Sequence, residues 1–230
     1  KLRLRAEDHL LEIGCGWAGF AIEAVRRTGC RITGITISKD QYHLARERVR
    51  QAGLQDRIHI LFRDYRKMNG HFDKIVSIEM LEAVGHAYYG TFFRQLDRLL
   101  ASDGIAVIQT ITIPDQRYDT YRKTHDWIQK HIFPGGLLPS LTVLTRAMTR
   151  HSSLMVDHVE NIGNHYATTL AQWQRRFKEN QDQVTQLGFD RVFLRKWAYY
   201  LGSCEAGFRE RVLGDLQLVL TREGNRRLAD

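Results

Sequence analysis

Leu11-Glu12-Ile13-Gly14-Cys15-Gly16-Trp17-Ala18-Gly19 joins a short apolar run, His9–Ile13, to a stretch of helical period, Ala18–Arg27. Glycines at 14, 16 and 19 let a polypeptide leave a strand, turn tightly and bring its backbone close to a ligand at the carboxyl end of a sheet. The same spacing is the dinucleotide fingerprint, which calls for an Asp or Glu about 20 residues on to hold ribose hydroxyls. Here the second strand ends Thr33-Gly34-Ile35-Thr36-Ile37-Ser38, without an acid. The acid comes instead before the first glycine, as Glu12, which weakens the reading as a nicotinamide-dependent oxidoreductase.

Working outward, apolar runs at His9–Ile13, Arg31–Ile37, Arg57–Phe62, Lys74–Ile78 and Ile105–Ile111 alternate with helix-period stretches at Ala18–Arg27, Lys39–Ala52 and Ala87–Leu100. Ser38 with Gln41 three residues on reads as a capping box opening the second helix. Strands alternating with helices predict a doubly wound α/β sheet, seven-stranded and mostly parallel with right-handed crossovers. Beyond Ile113 the rhythm breaks. Residues 114–165 hold all three prolines and the Gly135–Gly136 pair, and they predict a mostly helical cap inserted into a single 1–230 domain. A helix Thr168–Leu187, a strand Arg191–Trp197, a helix Tyr199–Arg211 and an antiparallel edge strand Asp215–Thr221 complete the expected fold.

Composition narrows the class. Apolar residues make up 43% of 230, enough for a packed core and too many for disorder. No window reaches the roughly 18 apolar residues of a membrane span. Three widely spaced cysteines (15, 30 and 204) suit neither a disulfide framework nor a zinc site, and point to a reducing, cytoplasmic setting. The balance of 34 basic against 26 acidic side chains, net +8, is scattered rather than clustered. It argues for no nucleic-acid partner and leaves a weak attraction to the anionic inner face of a membrane. His151, His158 and His165 recur every seven residues without Cys or acid partners, so no metal site is expected.

Glu12 before the glycines and Asp64 after the third strand resemble the cofactor signature of class I S-adenosylmethionine (SAM)-dependent methyltransferases. The stretches Leu11–Gly19 (LEIGCGWAG), Gly34–Gln41 (GITISKDQ), Lys74–Gly85 (KIVSIEMLEAVG), Ile132–Ser140 (IFPGGLLPS), His165–Leu170 (HYATTL) and Tyr199–Arg209 (YYLGSCEAGFR) go further. In this order along the sequence, they resemble the cyclopropane-fatty-acyl-phospholipid synthase family, which includes the mycolic acid cyclopropane synthases. Ala83, Gln109 and the phrase Gln109–Tyr118 (QTITIPDQRY) are similar to the branch that includes plant cyclopropane synthases, where the commonest family pattern has His at 83 and 109.

That resemblance implies a Rossmann-like fold and SAM contacts at Gly14, Gly16, Thr36, Ile37, Gln41, Tyr65 and Ile78, to which Asp64 is added from its place beside Tyr65. It implies a bicarbonate base held by Glu82, the Ile111 backbone, Tyr166 and Cys204, with the Gln109 amide donating where His otherwise would. The implied reaction carries a methyl group from SAM to a cis double bond in an unsaturated phospholipid acyl chain. The resulting cation then loses a proton and closes to a cyclopropane ring. Aromatic faces would steady the cation, with Tyr166, Trp127, Trp173 and Tyr199 as candidates. The family also carries an amino-terminal lid with an aromatic-Ser-Cys motif, absent here, so the sequence is expected to be a fragment. A homodimer is compatible with this reading.

Three other functions stay open at the level of sequence. One is a methyltransferase that alkylates a carbon of an acyl chain and gives a methylene- or methyl-branched product. Another is a small-molecule N- or O-methyltransferase, and the third a non-catalytic SAM- or membrane-binding domain.

Overall fold

The computed structural model describes residues 1–228. Five parallel strands come first: β1 (His9–Ile13), β2 (Arg31–Thr36), β3 (Ile58–Phe62), β4 (Phe72–Ile78) and β5 (Leu100–Thr112). The helices between them are α1 (Gly19–Thr28), α2 (Lys39–Gln51) and α3 (Tyr89–Leu99). Three shorter helices follow, α4 (Asp115–Tyr121), α5 (Trp127–His131) and α6 (Leu141–His151), and then strand β6 (Met155–Asn161). Next come α7 (Gly163–Glu179), α8 (Gln181–Gln186), α9 (Arg191–Arg209) and β7 (Gly214–Thr221). The sheet order is β3-β2-β1-β4-β5-β7-β6, that of the class I methyltransferase fold.

Alternation along the strands divides the core. Leu11, Ile13, Ile75 and Ala106 face a cluster with Phe92, Phe93 and Leu96 of α3 and Leu144 and Met148 of α6. Leu10, Ile32, Ile60 and Val76 face the other way, onto Ala21 and Val25 of α1 and Ala45 and Val49 of α2. Period-two burial against helices on both faces accounts for near-continuous apolar strands such as Leu10–Ile13. Gly34 has no room for more: a Cβ there would lie 2.9 Å from the Cβ of Cys15 and 2.9 Å from the Cδ1 of Ile60.

Four elements differ from their sequence expectations. Arg191–Trp197, expected as a strand, is the start of α9. Its β-branched and aromatic content imitates a strand, but Phe189, Phe193 and Trp197 recur every four residues and stack along one side, at 4.3 and 5.5 Å between centroids. Asp190 accepts a hydrogen bond from the Phe193 N–H and starts the helix. The helix expected over Thr168–Leu187 begins earlier, at Gly163, and is divided near Asn180.

The segment 114–165 contains three helices but also β6, whose polar sequence MVDHVEN offers little alternation because it is a largely exposed outer strand. The antiparallel strand is β7, paired on one side with β5 and on the other with β6, so it lies one place in from the edge.

Parallel β1–β5 end on one side of the sheet, and antiparallel β7 begins there, with Asp215 opposite Ile111. The order reverses between β1 and β4, the switch point at which open α/β sheets bind ligands.

Candidate active site

The glycine turn makes the first half of this edge. Gly14 and Cys15 both donate their N–H to the Ile35 carbonyl, at 3.0 and 2.9 Å, which draws the turn across the end of β2. Gly14 has φ +82 and a Cβ there would lie 3.0 Å from the Cγ of Met80. Gly16 has φ +51, and a Cβ there would meet open space. Beneath the turn Glu12 is 3% exposed, and its Oε2 has no hydrogen-bond partner. Burial lifts its carboxyl to about 8.

At the end of β2 the Thr36 hydroxyl donates to Gln41 Oε1 at 2.7 Å, and Ser38 Oγ accepts from the Gln41 N–H at 3.3 Å. The expected capping box is therefore half made, since the Gln41 side chain turns to Thr36. Ile37 stands 72% exposed beside it. Tyr65 meets Phe92 edge-on at 5.6 Å, and Ile78 closes the end of β4. Asp64 is engaged otherwise: its two oxygens accept from Arg66 Nε at 3.0 and 3.1 Å. Open backbone at Gly16, an orphaned buried carboxyl oxygen and an exposed apolar side chain at a strand end fit SAM, which is cationic at sulfur and carries a flat base.

The second half is acidic. Gln109 on β5 lies between Ile78 of β4 and Gln217 of β7. Gln217 Nε2 donates to Gln109 Oε1 at 2.8 Å, which turns the Gln109 nitrogen the other way. That nitrogen donates to Glu79 Oε1 at 2.9 Å and to Asp215 Oδ2 at 3.2 Å. Asp215 is 1% exposed and its Oδ1 has no partner. Burial and the neighbouring Asp215 raise Glu79 well above an ordinary carboxyl, and burial raises Asp215 likewise. Glu79 holds φ +53, a left-handed conformation that a side chain of this size rarely adopts.

Glu82 follows three residues later. Its Oε1 accepts from the Ile111 N–H at 2.6 Å and the Thr110 hydroxyl at 2.8 Å, while Oε2 is buried without a partner. Burial first, and Glu79 second, push it up to about 7. Ile111, Tyr166 and Cys204 pack together against Leu170, Leu201 and Phe208 between α7 and α9. Burial raises the Tyr166 hydroxyl and then Glu79 raises it further, which places Tyr166 at the acid cluster. Tyr200 is pushed up to about 12 and Cys204 to about 11, both chiefly by burial. The segment after α5 covers this half, with Leu137 N–H donating to the Glu82 carbonyl at 2.8 Å. Trp127 meets Tyr199 at 4.5 Å and Phe133 meets Tyr200 at 5.7 Å.

Glu82, Gln109, Ile111, Tyr166 and Cys204 therefore converge. Glu79 and Asp215 are new to the site. A second acid three residues before Glu82, at a strand end, was the one available signal for Glu79. Asp215 had no local signal at all, because only strand pairing brings it to Gln109.

The bicarbonate ion implied by the resemblance does not fit this arrangement. The Ile111 N–H is taken by Glu82, and the Gln109 amide nitrogen is taken by Glu79 and Asp215. Three carboxyls gather here, and none of the interactions that shift them comes from Lys, Arg or His. An anion would meet charge of its own sign with few donors left to it. The role expected for Gln109 changes accordingly: it holds two carboxyl groups together.

Comparison with known proteins agrees with the fold. The profile of the family described as mycolic acid cyclopropane synthetase matches residues 1–218. A tuberculostearic acid methyltransferase of Mycobacterium tuberculosis is 44% identical over 217 residues, 94% of this chain and 51% of that protein. A cyclopropane-fatty-acyl-phospholipid synthase of Escherichia coli K12 is 36% identical over 222 residues, 96% of this chain and 55% of that protein. The sequence thus spans about half the length of these relatives. The crystal structure of a mycolic acid cyclopropane synthase complexed with SAH and CTAB superposes with a TM-score of 0.87 at 27% identity, covering 96% of this chain and 80% of that one. The expected likeness to the branch that includes plant cyclopropane synthases gives way to likeness to a bacterial protein named for tuberculostearic acid.

Proposed function

The chain belongs to the mycolic acid cyclopropane synthetase family, and from that premise we infer that it is the catalytic domain of a SAM-dependent methyltransferase acting on a double bond in an unsaturated fatty acyl chain. The observation that carries this reading is the meeting, at one sheet edge, of a glycine turn fit for SAM with an acid cluster walled by Ile111, Tyr166, Tyr200 and Cys204. An N- or O-methyltransferase would need polar groups to orient its acceptor. These walls are apolar and aromatic, as an alkene requires.

Gly14, Gly16, Thr36, Ile37, Gln41, Tyr65 and Ile78 would hold SAM, which supplies an electrophilic methyl carbon. The protein's own residues do the rest. The α5–α6 segment over Glu82 excludes water, so a weak alkene nucleophile competes only with the walls. Tyr166 and Tyr200, beside the acids, offer faces to a cation, worth about 0.5–2 kcal/mol each. Of the other aromatic candidates, Trp173 packs on the Tyr166 edge at 6.1 Å, while Trp127 and Tyr199 pair with each other.

The product we favour is a methylene-branched acyl chain, in keeping with the 44% identity to a tuberculostearic acid methyltransferase. Saturating that branch would need a hydride donor from a separate reduction. Ring closure is the second reading, supported by the 36% identity to a cyclopropane synthase. Phospholipid in a membrane is the proposed acyl source. Among the described residues no helix is long and apolar enough to cross a membrane. Exposed Leu187, Phe189 and Val192, beside Arg191 and Arg195, support contact with a lipid surface from one side.

The test is mass spectrometry of lipids from cells making the full-length protein. Unsaturated acyl groups should gain one carbon, and fragmentation should distinguish methylene from ring. Unchanged acyl groups alongside methylation of a polar small molecule would refute the proposal.

A further inference from the structure

Resting on that reading, we propose that the Glu79–Asp215 carboxyl pair, gathered on the amide of Gln109, takes the proton released by the alkylated acyl chain, and that the site works without bicarbonate.

Gln217 fixes the Gln109 oxygen, so both hydrogens of the amide nitrogen are given to two carboxyl groups, Glu79 just past the end of β4 at 2.9 Å and Asp215 on β7 at 3.2 Å. Two carboxyls drawn to one amide repel each other when both are ionised, and a proton between them relieves the repulsion. A nearly inaccessible Asp215 oxygen is left without a donor, ready for that proton. The fold also accepts a left-handed backbone at Glu79, a conformation strained for a non-glycine residue. Glu82 is less suited, because its Oε1 is already bound by Ile111 and Thr110.

The groups facing the pair are Gln109 on β5, Gln217 on β7, Glu82 after β4, Tyr166 on α7 and Tyr200 on α9. None of these is cationic. Burial and mutual repulsion raise the pair's affinity for a proton, which suits a base working near neutral pH.

In the methyl transfer the alkene π pair forms the new C–C bond as the sulfur–methyl bond breaks with its electrons on sulfur. The acyl group is left with one positive charge. For ring closure a C–H bond of the transferred methyl gives its proton to a Glu79 carboxylate oxygen and its electron pair closes the ring. For the methylene branch a 1,2-hydride shift within the acyl chain first moves the positive charge onto the carbon that bears the methyl, and the methyl C–H electron pair then becomes the new C=C bond as the proton passes to Glu79. The carboxyl pair then holds one more proton, shared with Asp215, and releases it to water before the next turnover.

The full-length protein, SAM and vesicles of dioleoylphosphatidylglycerol test this in buffer stripped of carbon dioxide. The rate should stay within about twofold of that with added bicarbonate, and Glu79→Gln and Asp215→Asn should each lower kcat about a hundredfold with SAM affinity within about threefold. Glu79→Asp should recover part of the rate, and the limb of kcat that rises with pH should vanish in Glu79→Gln. A tenfold or greater loss on stripping, restored by bicarbonate, would overturn the proposal, as would wild-type kcat and pH profile in Glu79→Gln.

Infrared titration reads the pair without turnover. A protonated-carboxyl band titrating above the ordinary carboxyl range, absent from Glu79→Gln, supports it, and no such band in the wild type overturns it. If no acyl group is methylated, the functional reading fails, and the infrared result still decides whether a proton-sharing pair exists.

Discussion

Glu79 pays for its position with backbone strain and with the burial of a charge beside Asp215, and neither serves stability. Replacement by glycine would release the left-handed conformation and remove one carboxyl from the cluster. Glu79→Gly should therefore raise Tm by roughly 2–4 °C while acyl methylation falls about a hundredfold, read by calorimetry and product assay. Gly14 makes the opposite case. Its φ of +82 and the 3.0 Å approach of a would-be Cβ to Met80 leave alanine nowhere to go. Gly14→Ala should weaken SAM binding at least tenfold by titration calorimetry and cost about 1–2 kcal/mol of stability. At this scale Glu82, Tyr166 and Cys204 were legible as candidates because each lies in a stretch that carries the family likeness, and Gln109 and Ile111 through the phrase Gln109–Tyr118. Asp215 was not. Its partner Gln109 is 106 residues away, and only the register of β5 with β7 joins them.

Elements with a clean period read well and elements with a mixed one did not. The five parallel strands were placed within a few residues, apart from the longer amino end of β5, since apolar runs bounded by turns suit burial on both faces. α9 misled because aromatics and Val192 favour strands locally, whereas the four-residue spacing of Phe189, Phe193 and Trp197 satisfies a helix face. β6 misled because an exposed outer strand needs few apolar residues. The α6 segment reads through Leu144 and Met148, which are buried in the core shared with α3. Leu144, 1% exposed, anchors the helix that follows the cover over Glu82. Leu144→Ala should cost about 2–4 kcal/mol in urea unfolding, and a cost below about 1 kcal/mol would mean that α6 is not held by this packing.

Across the whole molecule, buried carboxyls govern the response to pH. Burial raises Glu12 to about 8 and Glu82 to about 7, and it also raises Glu79 and Asp215. Between the ordinary carboxyl range and these values the folded protein binds more protons than the unfolded one. Stability therefore falls as pH rises, the reverse of a protein held by salt-bridged carboxylates. Tm should drop by roughly 5–10 °C between about pH 5.5 and 8.5, and Glu12→Gln should flatten that slope. A Tm that rises over the same interval would show that these acids are ionised in the native state.

The most direct measurement of the central claim uses SAM labelled with three deuterons on its methyl group, the full-length protein and a cis-unsaturated phospholipid. The acyl group should become one carbon longer in composition and keep two of the three deuterons, the third having left as the proton passed to the carboxyl pair. A product with label on a headgroup oxygen or nitrogen, and none on the acyl group, would contradict it.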